Sequence, residues 1–202
     1  MERLILLKGM NPDANVFSRL ASEFSGAEHV EWPSIDSRSS MTDLAYELIS
    51  RYHIDRDCSL VGVSFGGIIA QEIAAIVHCK LCVVISTMCQ REELPAMGRF
   101  LGALPVGCIY KLCLYGAKFG LFRKHGALDE VWTSWVVSRV VAWNAPMISS
   151  ETKLIRIHGD RDRTFPNGCS EADLVLNGGH LIIATHADKI SEVIRGGLNP
   201  AV

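Results

Sequence analysis

No apolar stretch of this sequence is long and clean enough to cross a bilayer, so no membrane span is expected. The apolar start, Leu4 to Leu7, is too short for a secretory leader and runs into Lys8-Gly9 without a cleavage site. It reads as a buried first strand. Neither sign of charge dominates: the formal net charge is -2 and the pI about 6.4, which removes the electrostatic footprint that a nucleic-acid binder needs. An even disulfide framework is also missing. Seven cysteines scattered through apolar segments read as reduced, buried thiols, which makes a cytoplasmic location the expectation. Cys79 and Cys82 form a C-x-x-C beside His78, but no second ligand pair follows at zinc-finger spacing, so neither a metal nor a cofactor is expected. The sequence shows no internal repeat, no low-complexity tract and no domain-separating linker.

What remains is a chain that can bury a core. Its 202 residues are 49% hydrophobic with a mean hydropathy of +0.20, and one domain over 1–202 is expected. Short apolar runs at Leu4 to Leu7, Glu28 to Trp32, Ser59 to Val63, Leu81 to Ile85, Lys153 to Gly159 and Asp173 to Leu176 read as strands. Between them lie helical patterns at Ala14 to Phe24, Met41 to Tyr52 (capped by Ser40 or Thr42) and Phe65 to about Val77, with a closing helix from Ile183 to Leu198. Strands alternating with helices predict an α/β fold: a three-layer α/β/α sandwich around a mostly parallel sheet of about six strands.

The alternation breaks over residues 88–149. Leu101, Leu104, Ile109, Leu112, Tyr115, Phe119 and Phe122 recur at helical spacing, and Trp132, Trp135, Val136, Val140 and Trp143 make a second apolar stripe. This segment is expected to form a helical cap over a pocket, with the Trp-rich helix serving partly as a crossover. Leu101, Leu104, Leu112, Tyr115, Phe119 and Trp135 are the expected pocket wall. A membrane-surface helix is the weaker reading, because Lys111 and Lys118 alone hardly make a basic face.

Chemistry concentrates in three places. Ser59 to Val63 is a run of β-formers that ends in Gly62-Val63-Ser64-Phe65-Gly66-Gly67, and a helical pattern follows at once. That is the sequence form of a nucleophile elbow, in which a sharp strand-to-helix turn pushes a serine hydroxyl out of the sheet. His158-Gly159-Asp160-Arg161-Asp162 and Asn177-Gly178-Gly179-His180 end the last two strands and so lie at the same sheet edge. Serine, acid and histidine in that order resemble the α/β-hydrolase superfamily over nearly the whole chain. The family usually begins with an antiparallel hairpin, for which no counterpart precedes residues 3–8 here, so a compact version is expected. The stretch between Asp162 and the last strand is also short.

The resemblance implies Ser64 as nucleophile, His180 as base and Asp162 as the acid that orients it; Asp160 is the competing acid and reads as a turn residue. His158 is expected to brace the turn, and His186 is a lesser candidate for the base. The oxyanion donors would be the backbone N–H groups of Phe65 and Met10, although Lys8 stands where relatives often carry His or Pro. The expected activity is cleavage of a small, partly hydrophobic ester through an acyl-enzyme, without a cofactor. The alternatives are a lyase, C–C hydrolase or perhydrolase reaction on the same residues, or a non-catalytic ligand-binding module. A small molecule is the expected partner, and the sequence is silent on oligomeric state.

Overall fold

A computed structural model describes residues 3–11, 15–118, 130–166 and 171–198. Six strands form one all-parallel sheet: β1 (Arg3–Leu7), β2 (Glu28–His29), β3 (Cys58–Val63), β4 (Leu81–Ile85), β5 (Lys153–Gly159) and β6 (Leu174–Leu176), in the order β2-β1-β3-β4-β5-β6. The helices are α1 (Ser18–Ala21), α2 (Met41–Tyr52), α3 (Phe65–Val77), α4 (Ala96–Leu101), α5 (Val106–Lys118), α6 (Glu130–Ala142), α7 (Ile182–Thr185) and α8 (Ala187–Leu198).

Continuous apolar runs are what a parallel sheet covered on both faces requires, and β3 and β4 are buried at every position. Their side chains alternate between two cores. Ile5, Leu7, Leu60 and Val84 pack with residues of α2, α3 and α6, whereas Leu4, Leu6, Val61, Val83 and Ile85 pack with Leu20 of α1 and Ile190 and Ile194 of α8. The result is three layers. The buried thiols belong to this packing: desolvation pushes Cys79 up to about 12 and Cys82 well above the ordinary range, so both are chemically quiet.

The strand order reverses at β1, which lies between β2 on one side and β3 on the other. A crevice opens at the carboxyl ends of β1 and β3 for that reason. Tight packing closes its floor. A Cβ on Gly66 would run into the carbonyl oxygens of Leu7 and Lys8, and one on Gly62 would run into that of Gly66. Only glycine lets the start of α3 approach the two strands this closely.

Several elements are shorter than their patterns predict. The helix expected from Ala14 to Phe24 reduces to α1, where the Ser22 hydroxyl turns back onto the Arg19 carbonyl and Gly26 takes a φ of 90°; Ala14 itself lies outside the described residues. The strand expected over Glu28 to Trp32 shortens to Glu28 and His29, with the Val30 N–H still donating to Leu6 O at 2.9 Å; beyond it the Glu31 N–H turns to the Tyr52 hydroxyl and Trp32 Nε1 to the loop after β1. Asp173 precedes β6 rather than joining it, and its carboxylate accepts the Arg156 N–H. The closing helix breaks at His186 (φ -129°, ψ 32°), whose carbonyl accepts the N–H of Ile190. The helical run from Leu101 onward splits before Pro105, whose ring forbids an uninterrupted helix there; Phe119 and Phe122 lie outside the described residues.

Of the two candidate caps for α2, Ser40 is used: its hydroxyl accepts the Asp43 N–H at 3.0 Å and the Asp43 carboxylate accepts the Ser40 N–H at 2.7 Å. Ser40→Ala breaks this reciprocal pair and is expected to lower stability by about 1 kcal/mol. A urea titration reads the loss as a lower midpoint with an unchanged slope.

Candidate active site

Ser64 stands between β3 and α3 with φ 54° and ψ -122°, a left-handed backbone that a serine adopts only under constraint. Its own N–H donates to Ile85 O of β4 at 2.9 Å, and its carbonyl accepts the N–H groups of Gly67 and Ile68, so the turn is bonded on both sides. Such a conformation costs roughly 1–3 kcal/mol and persists where its surroundings over-determine it. Here it holds the hydroxyl above the sheet edge.

His180, on the loop after β6, brings Nε2 to 2.9 Å from Ser64 Oγ and Nδ1 to 2.8 Å from Asp162 Oδ2. Asp162, just beyond β5, is 4% exposed. Its Oδ1 accepts the N–H groups of Thr164 (2.7 Å) and Phe165 (3.2 Å), and its Oδ2 receives a second imidazole, His158 Nε2, at 3.1 Å. Burial opposes ionisation of this carboxyl. Hydrogen bonds from His158 and His180 and from the Thr164 N–H outweigh it, and hold the group well below the usual carboxylate range.

These contacts determine the protons. An ionised Asp162 offers only acceptors, so Nδ1 of His180 carries the hydrogen and Nε2 is left to accept from the Ser64 hydroxyl. His158 Nε2 faces both Asp162 Oδ2 and Phe165 O (3.0 Å), so it too is an N–H. Asp160 lies outside this chain of bonds, accepting the Gly178 N–H at 2.9 Å. His186 pairs with its neighbour Thr185.

Phe65 begins α3, so its N–H belongs to the unpaired set at a helix start. Gly9, Met10 and Asn11 follow β1 and line the same cavity as Ser64. Two tryptophans that the sequence reading left out of the site hold this loop. Trp32 Nε1 donates to Gly9 O at 2.9 Å and Trp132 Nε1 donates to Met10 O at 2.7 Å. A trans peptide points its N–H opposite to its carbonyl, so anchoring Gly9 O on one side directs the Met10 N–H away from Trp32. The two indoles lie 5.8 Å apart, each against the Phe65 ring at 5.2 and 5.7 Å, which ties the loop to the start of α3. Lys8, before the loop, pairs with Glu31 at 2.6 Å.

The cavity above Ser64 measures about 410 Å³. Its walls include Val16, Val63, Phe165 and Leu181, and α6 contributes Val136, Val137, Val140 and Val141. No Asp, Glu, Lys or Arg lines it among the described residues. The expected wall is corrected here. Leu101, Leu104, Leu112, Tyr115 and Trp135 are not among the described lining residues, and Phe119 lies outside the described set. Trp135 is fully buried, stacked on Trp132 and donating to Ser39 O at 3.0 Å, while Leu104, Leu112 and Tyr115 are exposed. The cause is layering: α5 packs on α6, and of α4, α5 and α6 only α6 reaches the cavity among the described residues. The signal in the sequence was two Val pairs four residues apart, at 136–137 and 140–141, which fall on one helix side.

No family model matches the sequence, and no curated protein is similar to it in sequence. The fold has many likenesses. An enol-lactonase from Burkholderia xenovorans LB400 superposes with a TM-score of 0.68 at 12% identity, covering 98% of this chain and 91% of that one. An α/β-hydrolase enzyme from a deep-sea metagenome does so at 0.66 and 14%, covering 100% and 90%. A meta-cleavage product hydrolase from Pseudomonas fluorescens IP01 gives 0.64 and 16%, covering 100% and 92%. At these identities the likeness is one of fold.

The lowered acidity of Asp162 has a stability consequence. A carboxyl more acidic when folded than the unfolded value of about 3.9 contributes stability above that value, and the contribution is lost as pH falls below it. Asp162→Asn removes the titration, so its urea midpoint is expected to fall less steeply than the wild type's between about pH 5 and pH 2.

Proposed function

We propose that this chain, which has the α/β-hydrolase fold, is a serine hydrolase that cleaves a small uncharged ester with an apolar portion through an acyl-enzyme. The observation that carries the reading is the unbroken path from Ser64 Oγ through His180 to the ionised Asp162, opening into an apolar cavity.

A free serine hydroxyl is a weak nucleophile. Nε2 of His180 accepts its proton as Oγ bonds to the ester carbonyl carbon. The imidazolium that forms is stabilised by Asp162, which remains ionised. The carbonyl oxygen becomes an oxyanion facing the N–H of Phe65 and, by the anchoring of Gly9 O, the N–H of Met10. Each such donor is worth about 3 kcal/mol in the transition state. The proton passes from His180 to the departing alkoxide, giving the alcohol and an acyl-Ser64 ester. Water enters, loses a proton to His180 and attacks the acyl carbon. Collapse of that second oxyanion releases the acid and returns the proton to Ser64.

Specificity follows from the cavity. With no charged group among its described lining residues, nothing there compensates a carboxylate or phosphate for lost hydration, whereas an alkyl or aryl portion buries against four valines and Phe165. Val140→Phe shortens this space, and the preference among p-nitrophenyl esters is expected to shift toward shorter acyl chains with little change on acetate.

Labelling with a fluorophosphonate tests the assignment. The adduct is expected on Ser64, to disappear in Ser64→Ala and to form far more slowly in His180→Ala; turnover in Ser64→Ala is expected to drop by about 10⁴-fold or more. Turnover retained in that variant overturns the nucleophile. A labelled Ser64 with no action on any neutral ester redirects the reading to lyase, C–C hydrolase or perhydrolase chemistry on the same residues.

Trp132→Phe keeps the ring packing but drops the donor to Met10 O. It is expected to lower kcat by about tenfold while leaving KM near the wild-type value, because the loop it steadies acts on the oxyanion and not on the bound ester.

A further inference from the structure

Leu104, Leu112 and Tyr115, expected on the pocket wall, face outward instead, and with Met97 and Phe100 they form a pattern of their own. Met97 and Phe100 on α4 are each 72% exposed, Leu104 in the following turn is 42% exposed, and Leu112 and Tyr115 on α5 are 53% and 63% exposed. Exposed Cys108 falls between them. On each helix these positions are three or four residues apart, the spacing that puts side chains on one side. Both helices pack on α6 with their other sides, so the apolar side chains point away from the body of the protein. Exposed apolar side chains gathered in this way mark a contact surface more often than scattered ones do.

Charge says what the surface meets. Over the described residues 94–118 the sequence carries three Lys and Arg (Arg99, Lys111 and Lys118) and no Asp or Glu, and Arg99 is steadied by donating to the Glu92 carbonyl at 2.7 Å. Exposed Arg99 adjoins Phe100, and exposed Lys111 adjoins Leu112. A face both apolar and cationic complements one both apolar and anionic. A second copy of the same face would set like charges against each other.

We propose that α4 and α5 dock on an anionic lipid surface. Phe100, Leu104, Leu112 and Tyr115 settle into the boundary between headgroups and acyl chains, and Arg99 and Lys111 lie against the phosphates. Because α6 separates this face from the cavity, docking places the apolar cavity one helix layer from the lipid. The inference goes beyond the proposed hydrolysis and is read without it.

Flotation of the full chain with large unilamellar vesicles tests it. Vesicles of phosphatidylcholine with roughly 30 mol% phosphatidylglycerol at about 0.1 M salt are expected to carry at least tenfold more protein than phosphatidylcholine alone, with the difference shrinking as salt rises. The double variants Met97→Glu/Phe100→Glu and Arg99→Glu/Lys111→Glu are each expected to lose about tenfold in anionic-vesicle binding. Their thermal melts by circular dichroism and their turnover of a water-soluble ester should match the wild type. Equal binding to neutral and anionic vesicles, no binding by the wild type, or undiminished binding by the folded variants overturns the proposal. So does a wild-type dimer that the variants dissolve, which would give the face to a second copy. A chain that binds vesicles yet fails to label at Ser64 separates this proposal from the hydrolase reading.

Discussion

A carboxylate in a protein interior is tolerated only if its charge is answered on every side, and Asp162 meets that condition with four N–H groups. Two come from the backbone of the turn that carries it and two from imidazoles on different strand ends. The consequences run outward from this one charge. It determines which nitrogen of His180 bears the proton, which leaves Nε2 free to accept from Ser64, and it draws the ends of β5 and β6 together. Removing the charge would leave two imidazoles without their shared acceptor. His158 is therefore part of the electrostatics of the site although it never reaches the cavity.

The second constraint is steric. The start of α3 lies so close to β1 and β3 that Gly62 and Gly66 leave no room for a side chain, and Ser64 is held at positive φ between them. That strain persists because hydrogen bonds to β4 and within α3 over-determine the turn. On the opposite side of the crevice the loop after β1 has no strand neighbour to hold its carbonyls, and Trp32 and Trp132 take that role. The site is thus assembled from two turns of contrary design, one pinned by backbone contact and one by indole donors from remote positions.

Between β4 and β5 the chain serves two surfaces with one stack of helices. The inner helix, α6, turns valines to the cavity and tryptophans to the core; α4 and α5 cover it and present apolar side chains outward. An apolar stripe on an outer helix is ambiguous in one dimension, since it fits a cavity wall or an exterior face equally well. Only the depth of the helix in the stack tells the two apart.

The strands, their parallel pairing and the gathering of Ser64, Asp162 and His180 at one sheet edge were legible in the amino-acid order. Each rests on local signals: apolar runs bounded by turns, glycines at a tight strand-to-helix turn, and acid and histidine just past strand ends. Ser40 as a helix cap is equally local. The sequence could not show that Trp32 and Trp132 serve the loop after β1, because the partners are 23 and 122 residues apart and the bonds go to backbone carbonyls, which leave no mark in composition. Nor could it place the cavity wall on α6 rather than α5, because helical periodicity tells which residues share a side and not what that side meets. Short-range sterics and periodicity determined the sheet and its candidate chemistry; the tertiary structure, through packing between distant segments, decided what holds the site in shape and which apolar face lies inside.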